Sequence, residues 1–328
     1  MFDFTHVGMD NPFPITNGTG TQQMIHRHNL FTWPPAVFFW ALVCALLWGS
    51  AFPMVKTGFV MLDIQHSTGG KLYFAAYRFL LAGVMIFAGV LVSRRSILLS
   101  RKRDYTAMVL TGLLQTTLQY TFFYIGLSNT TGVKASIIIG SGSFFLALFS
   151  HLWFKDDPLS LRKSAGLVLG FLGIVLVNIQ GDSLDFHMTL TGEGFILLTA
   201  LSSTLALVVV KKTAVRVYPP LMSAYQLVTG SVALFLLALF FESPTILVFT
   251  RGSVALLLYL SFLSAAAFSL WYLLIQYNRL SSMAIYRFLI PVCAALLSVA
   301  IIETEHLHWP ALAALALVCM GLVLTARE

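Results

Sequence analysis

The sequence predicts an all-α integral membrane protein: ten transmembrane helices arranged as two inverted five-helix repeats. Three observations predict it. Hydrophobic residues make up 58% of the 328 and charged residues only 10%, whereas soluble domains carry about 25% charged residues; the mean hydropathy is +0.85. Apolar stretches recur along the chain at close to the ~20 residues that cross about 30 Å of hydrocarbon as a helix. A single offset of 148 residues, as from Ala76 to Ala224, lays much of the first half on the second.

Residues 1–33 lack an apolar core and are rich in Asn, Thr, Gly and Pro, so they read as a disordered cytoplasmic tail rather than a cleavable leader. The first repeat then occupies 34–181, with spans at 36–59, 72–93, 106–126, 132–154 and 164–180. The second occupies 182–328, with spans at 194–210, 219–241, 252–276, 283–302 and 309–325. Charged clusters or Gly, Asn and Pro punctuation separate each run from the next, and the loops leave no room for a soluble domain.

The charges orient the bundle. With ten spans, 14 of the 20 basic residues fall on one side, among them Arg94, Arg95, Arg101, Lys102, Arg103, Lys163, Lys211 and Lys212. Asp182, Asp185, Glu193, Glu303 and Glu305 gather on the other. The positive-inside bias places both termini in the cytoplasm. The net charge of +7 is therefore an orientation signal, not a nucleic-acid patch. Cys44, Cys293 and Cys319 all lie in apolar runs and predict no disulfide framework. Nothing calls for a cofactor or a metal.

The offset of 148 aligns "AYRFL" (76–80) with "AYQLV" (224–228), "FFY" (122–124) with "LWY" (270–272) and "GIVL" (173–176) with "GLVL" (321–324); it also places Asp157 on Glu305. An odd number of spans per repeat reverses the second half, which is the inverted architecture of many secondary transporters.

Here the chain resembles the drug/metabolite transporter superfamily, in particular its EamA-like two-repeat members, over about residues 36–326. The resemblance rests on "WGSAFPMVK" (48–56), "YRFLLAG" (77–83) and "SSMAIYRFLIPVCAALLSVAIIETEHLHW" (281–309). Ser143 stands where the family's mid-span proline falls in the first half, and Asp157 where a Glu is usual. The resemblance implies a solute carrier, a permease or exporter for a small-molecule metabolite. The expected partners are that solute and membrane lipid, with no nucleic acid, and the chain is expected as a monomer or homodimer. It does not name the solute.

The candidate site follows from what is costly in hydrocarbon. Pro53 lacks an N–H, frees the carbonyl of Gly49 and bends the first span beside Trp48 and Phe52; Pro291 repeats the device in the ninth, freeing the carbonyl of Arg287. Such kinks line cavities or serve packing alone. Four cations lie within spans: Lys56, Arg78, Lys134 and Arg287. Lys56 and Lys134 sit within a turn of helix ends, where a lysine snorkels to the interface. Arg287 lies about one turn in from the other side. Arg78 follows Lys71 by seven residues, about 10 Å deeper, so it needs carbonyls, polar side chains or an anionic ligand.

Gln115 and Gln119 lie i, i+4 on one face of the third span, with Tyr124 close by, and Ser264, Phe268, Tyr272 and Gln276 follow i+4 steps in the eighth, with Trp271 adjacent. Ser141 lies in "GSGS" (140–143). Each polar residue is also a candidate for interhelical hydrogen bonding.

No span contains an Asp or Glu, which argues against a carboxylate proton relay and towards exchange or facilitated diffusion. Unpaired cations favour an anionic or amino-acid-like solute. The alternatives are a multidrug or cation exporter of the same fold and, outside transport, a membrane sensor or intramembrane enzyme. No zinc motif or aspartate pair supports the enzyme.

Overall fold

Hydrocarbon offers the backbone no hydrogen-bond partners, so a chain this apolar must satisfy its own amides, and the helix does so within each segment. The computed structural model describes residues 30–130, 132–178, 188–301 and 309–325. Most of the tail read at 1–33 lies outside them, as do Asp182, Asp185, Glu303 and Glu305. Among the described residues all regular structure is helical. In chain order it comprises α1 (Pro34–Met61), α2 (Thr68–Val92), α3 (Lys102–Gly112), a π-helical segment (Leu113–Leu118) and α4 (Gln119–Ser128). α5 (Gly132–Trp153), α6 (Leu161–Asn178) and a π-helical turn (Leu190–Gly194) leading into α7 (Phe195–Thr213) come next. The chain closes with α8 (Pro219–Ala238), α9 (Arg251–Tyr277), α10 (Leu280–Tyr286), α11 (Leu289–Ile301) and α12 (Trp309–Thr325).

Among the described residues, five helices are long and apolar enough to cross a membrane: Pro34–Met61, Thr68–Val92, Leu190–Thr213, Pro219–Ala238 and Arg251–Tyr277. Their starts are built locally. α1 and α8 open with Pro-Pro, which loses no intrahelical bond in the first turn. Ser67 Oγ accepts from Gly70 N at the start of α2, and Thr250 and Ser253 form a reciprocal capping box at the start of α9.

Two apolar runs expected to be continuous are interrupted. The third contains the π segment. The ninth breaks at Arg287 and Phe288, four residues before Pro291: with no N–H at Pro291, the carbonyl of Arg287 takes Ile290 N instead, at 3.1 Å, in a tighter turn. The freed carbonyl read from the sequence is therefore used locally.

α2 lies along α8, and α6 along α12. α1 packs on α9 and α11, α5 and α4 on α7, and α3 on α8. Glycines permit the closest approaches, as expected where helices associate through packing rather than hydrophobic exclusion. A Cβ on Gly230 would stand 2.5 Å from Gly112 O, and one on Gly49 2.9 Å from Ala294 N. One on Gly321 would stand 2.7 Å from Gly166 O.

At the end of the bundle reached by α5, Asp157 joins three helices. Its carboxylate accepts from Lys163 Nζ (2.7 Å), Ser281 N (2.8 Å), Ser150 Oγ and Ser281 Oγ. The ion pair is almost wholly buried, 1% and 3% exposed at the two side chains. Burial alone would raise the Asp157 pKa, but the hydrogen bonds from Lys163, Ser150 and Ser281 outweigh it and hold the carboxyl below its ordinary value. Nearby, Lys211 Nζ donates to the carbonyls of Ile275 (2.8 Å), Gln276 (3.3 Å) and Asn278 (2.6 Å), covering the C-terminus of α9. Lys163 and Lys211, read from the sequence as orientation charges, thus also hold this end together.

Gly230→Ala should lower the melting temperature of the detergent-purified protein, because backbone on α3 must move; overpacking of this kind costs roughly 1–3 kcal/mol. Gly89→Ala, where nothing lies within 4 Å, should leave it unchanged or raise it. Asp157→Asn should destabilise at neutral pH, since breaking a buried pair costs roughly 3–5 kcal/mol. The lowered pKa also sets a pH dependence. Its stabilisation is complete above the ordinary aspartate pKa and is lost as pH falls through the depressed folded-state value. Melting curves against pH should therefore decline less steeply on the acid side for Asp157→Asn than for the wild type.

Candidate functional site

α2 turns Arg78 inward on the stripe that also buries Ala75, Ala82 and Ile86, leaving it 5% exposed. Its Nε donates to Ser264 Oγ of α9 at 2.9 Å. Ser264 in turn donates to the carbonyl of Leu260, so its lone pairs remain for the arginine. The guanidinium lies over the Phe79 ring, 5.1 Å from its centroid. Among the described residues no other hydrogen bond engages this guanidinium, and no carboxylate lies within ion-pair distance of it.

Through Phe79 it joins a contiguous cluster of aromatic rings from four helices. Phe79 packs on Tyr120 (4.6 Å between centroids) and Phe268 (6.4 Å), and Tyr120 on Tyr124 (6.1 Å). Trp48 meets Phe268 (5.5 Å) and Trp271 (5.4 Å) edge-on. Tyr120 and Tyr124 both lie within electrostatic reach of Arg78. The hydroxyl of Tyr124 takes part in no hydrogen bond among the described residues. The structure therefore brings Trp48, Arg78, Tyr124 and Trp271 into one cluster.

A second buried group stands at the positions 148 residues away. Gln226, where the first half has Arg78, donates through Nε2 to Thr116 Oγ1 at 2.8 Å; Thr116 corresponds to Ser264. Tyr272, the counterpart of Tyr124, donates to Gln226 Oε1 at 2.7 Å. This group is neutral and its polar atoms meet one another. The Arg78 group is charged, and its tyrosine is not engaged.

The remaining candidates lie elsewhere. Gln115 Nε2 donates to Gln119 Oε1 at 2.9 Å, while Gln115 Oε1 is buried with no partner among the described residues; the π segment that carries Gln115 is a geometry often found at functional positions. Arg287 reaches Ser203 Oγ of α7 at 3.4 Å through Nη2, and its Nη1 is buried with no partner among the described residues. Ser141 Oγ donates to the carbonyl of Ile138 within its own helix, and no described contact joins it to the Arg78 cluster. Phe52 is in α1, but its side chain lies outside the described residues, as does that of Lys134. Lys56 is exposed. Pro53 and Gly49 are buried in α1, Gly49 against α11, and Pro291 lies just past the break after α10.

Sequence reasoning missed the π segment, which has no composition signal, and Ser203, which is one serine among many. At the end of the bundle formed by residues 62–67, a cavity of about 330 Å³ reaches Tyr124 from outside. No group of three or more His, Cys, Asp or Glu able to hold a metal occurs among the described residues.

The comparisons with known proteins bear on the whole chain. The EamA-like transporter family model matches residues 36–179 and 190–327. An uncharacterised transporter of Archaeoglobus fulgidus is 29% identical over 254 residues, 76% of this chain and 84% of its own. The uncharacterised transporter YvbV of Bacillus subtilis is 29% identical over 280 residues, 85% of this chain and 88% of its own. A Chlamydia muridarum protein named as an S-adenosylmethionine/S-adenosylhomocysteine transporter is 26% identical over 157 residues, 48% of this chain and 46% of its own. One solved crystal structure superposes with a TM-score of 0.72, covering 88% of this chain and 97% of its own at 18% identity, which establishes a shared fold. The family match in both halves of the chain, together with the apolar helical bundle, identifies this protein as a multi-pass membrane protein of the EamA-like transporter family.

Proposed function

We propose that this protein is a secondary transporter of the cell membrane that moves an amino-acid-like or otherwise anionic metabolite by alternating access. The carrying observation is the contrast between the two buried polar groups. Gln226, Thr116 and Tyr272 meet one another's polar atoms. Arg78 has one neutral partner, no carboxylate among the described residues, and an unengaged tyrosine hydroxyl beside it. A buried cation left in this state is costly, and a carboxylate or phosphate ligand supplies both its charge and its hydrogen bonds. The surrounding rings suit the body of an organic solute.

The ten-span, inverted-repeat architecture with both termini in the cytoplasm is part of this reading. What supports the repeat is that the packing persists when the halves are exchanged: α1 on α9 and α11 answers to α7 on α4 and α5. The Arg78–Ser264 bond likewise answers to Gln226–Thr116 under the same offset that relates the sequences. The Chlamydia muridarum relative is named for two solutes that each carry an amino-acid head and an adenine ring. The carboxylate of that head and the ring suit a guanidinium among aromatic rings, whereas the sulfonium of S-adenosylmethionine does not, so the name supports an amino-acid-like solute rather than a net anion.

A cation exporter of the same fold is the second reading, and the unpaired Arg78 speaks against it. Exchange or facilitated diffusion fits better than proton coupling. Asp157, the loop acid at the position of the family's Glu, is held ionised by four hydrogen bonds, which makes it a poor proton acceptor near neutral pH.

The experiment is thermal stabilisation of the purified protein by anionic, zwitterionic, neutral and cationic metabolites, followed by vesicle flux of any hit. Carboxylate-bearing solutes should stabilise the wild type. Arg78→Gln should weaken them about ten- to hundredfold, the loss of a charged hydrogen bond worth roughly 1.5–3 kcal/mol. Stabilisation by hydrophobic cations, unchanged in Arg78→Gln, would overturn the anionic reading.

A further inference from the structure

The cavity at the 62–67 end of the bundle has a chemistry of its own. Phe59, His66, Thr68, Lys71, Tyr124 and Ser128 line it, with Gln65 and Leu127. No acid is among the lining residues. Lys71 Nζ lies 5.7 Å from the centroid of the Phe59 ring, and Phe59 packs on Tyr124 at 5.9 Å. Tyr124 therefore has one side on the cavity and the other on the Tyr120–Phe79 stack that covers Arg78.

Helix geometry adds the second half of the argument. Lys71 and Arg78 are seven residues apart on α2, within about 20° of the same face and about 10 Å apart along the axis. One cation thus stands in the cavity and the next two turns deeper, with an aromatic side chain between them.

We infer that this cavity is a separate anion-collecting vestibule: Lys71 binds the carboxylate or phosphate of an arriving solute before Tyr124 yields and Arg78 takes it over. The inference rests on the anionic reading of Arg78, but the vestibule is a site in itself and is tested without knowing the substrate. A cation in a concave, partly desolvated mouth concentrates anions and raises their rate of arrival, so removing Lys71 should raise KM more than it lowers the maximal flux. The same chemistry also fits a phospholipid headgroup, which the experiment must separate from a soluble anion.

Thiol reactivity reads the local field directly. Ser128→Cys places a thiol on the exposed cavity wall; the wild type, with Cys44, Cys293 and Cys319, supplies the blank. In nanodiscs of phosphatidylcholine, an anionic sulfonate-bearing methanethiosulfonate should react faster than its cationic trimethylammonium analogue, relative to the same pair on a free thiol. We expect a preference of about threefold or more, the size one nearby charge produces in a partly screened site. Lys71→Gln in this background should abolish the preference, Lys71→Glu should reverse it, and Arg78→Gln should leave it intact. Inorganic phosphate should slow the anionic reagent in the Lys71 protein and not in Lys71→Gln.

Absence of any preference would overturn the vestibule while leaving the central Arg78 reading standing. A preference that vanishes with Arg78→Gln and survives Lys71→Gln would assign the field to the central site and overturn it too. If inorganic phosphate has no effect, while discs containing phosphatidylglycerol abolish the preference, the occupant is a lipid headgroup and the delivery role is wrong. If metabolite stabilisation fails in every panel member but the Lys71 effect persists, the vestibule holds and the central reading falls.

Discussion

In hydrocarbon every backbone amide must find its partner within the chain, and most of this structure follows from that requirement. It makes all regular structure among the described residues helical. It also makes each departure from the α-helix conspicuous. The π segment Leu113–Leu118 presents Gln115 and Thr116 to the interior, and the break after Tyr286 sets Arg287 against α7. Irregular backbone is tolerated there because neighbouring helices enclose it. The same enclosure buries polar side chains that a lipid-facing surface would not accept.

The second consequence is that helices attract each other through contact rather than through exclusion of water. Glycines on α1, α3, α6, α8 and α12 bring backbones close enough for that contact. Close backbones in turn place short polar side chains within reach of one another across helices. Arg78 meets Ser264 and Gln226 meets Thr116 for this reason. A guanidinium in such a setting is stabilised by whatever dipoles and ring faces the packing supplies. Family membership accounts for the bundle; the imbalance between the Arg78 and Gln226 groups is what the proposed class of solute rests on.

Hydropathy alone located two of the long helices closely. The first apolar run, read as 36–59, is the helix Pro34–Met61, and the eighth, read as 252–276, is Arg251–Tyr277. Pro291 foretold an interruption in the ninth, because a missing N–H acts on the carbonyl four residues earlier whatever surrounds it. The π segment gave no such warning, since LLQTTL differs in nothing essential from ordinary helical sequence. Lys163 and Lys211 were legible as charges at a helix end but not as the partners of Asp157 and of the α9 carbonyls. Those roles depend on residues 64 positions away in the case of Lys211 and Ile275.

By itself the sequence determined that this is a multi-span helical membrane protein, where its apolar runs begin and end, and that Arg78 is too deep on its helix to be a surface charge. These are local properties: hydropathy, the missing amide of proline and the rise of a helix act within a few residues. Only the tertiary structure decided that Ser264 is the neutral partner of Arg78, that Tyr272 closes the Gln226 group while Tyr124 leaves its counterpart open, and that Lys71 shares a cavity with Tyr124. Each depends on side chains from different helices arriving at one place, and that is set by how glycines and rings pack across the bundle, not by any pattern along the chain.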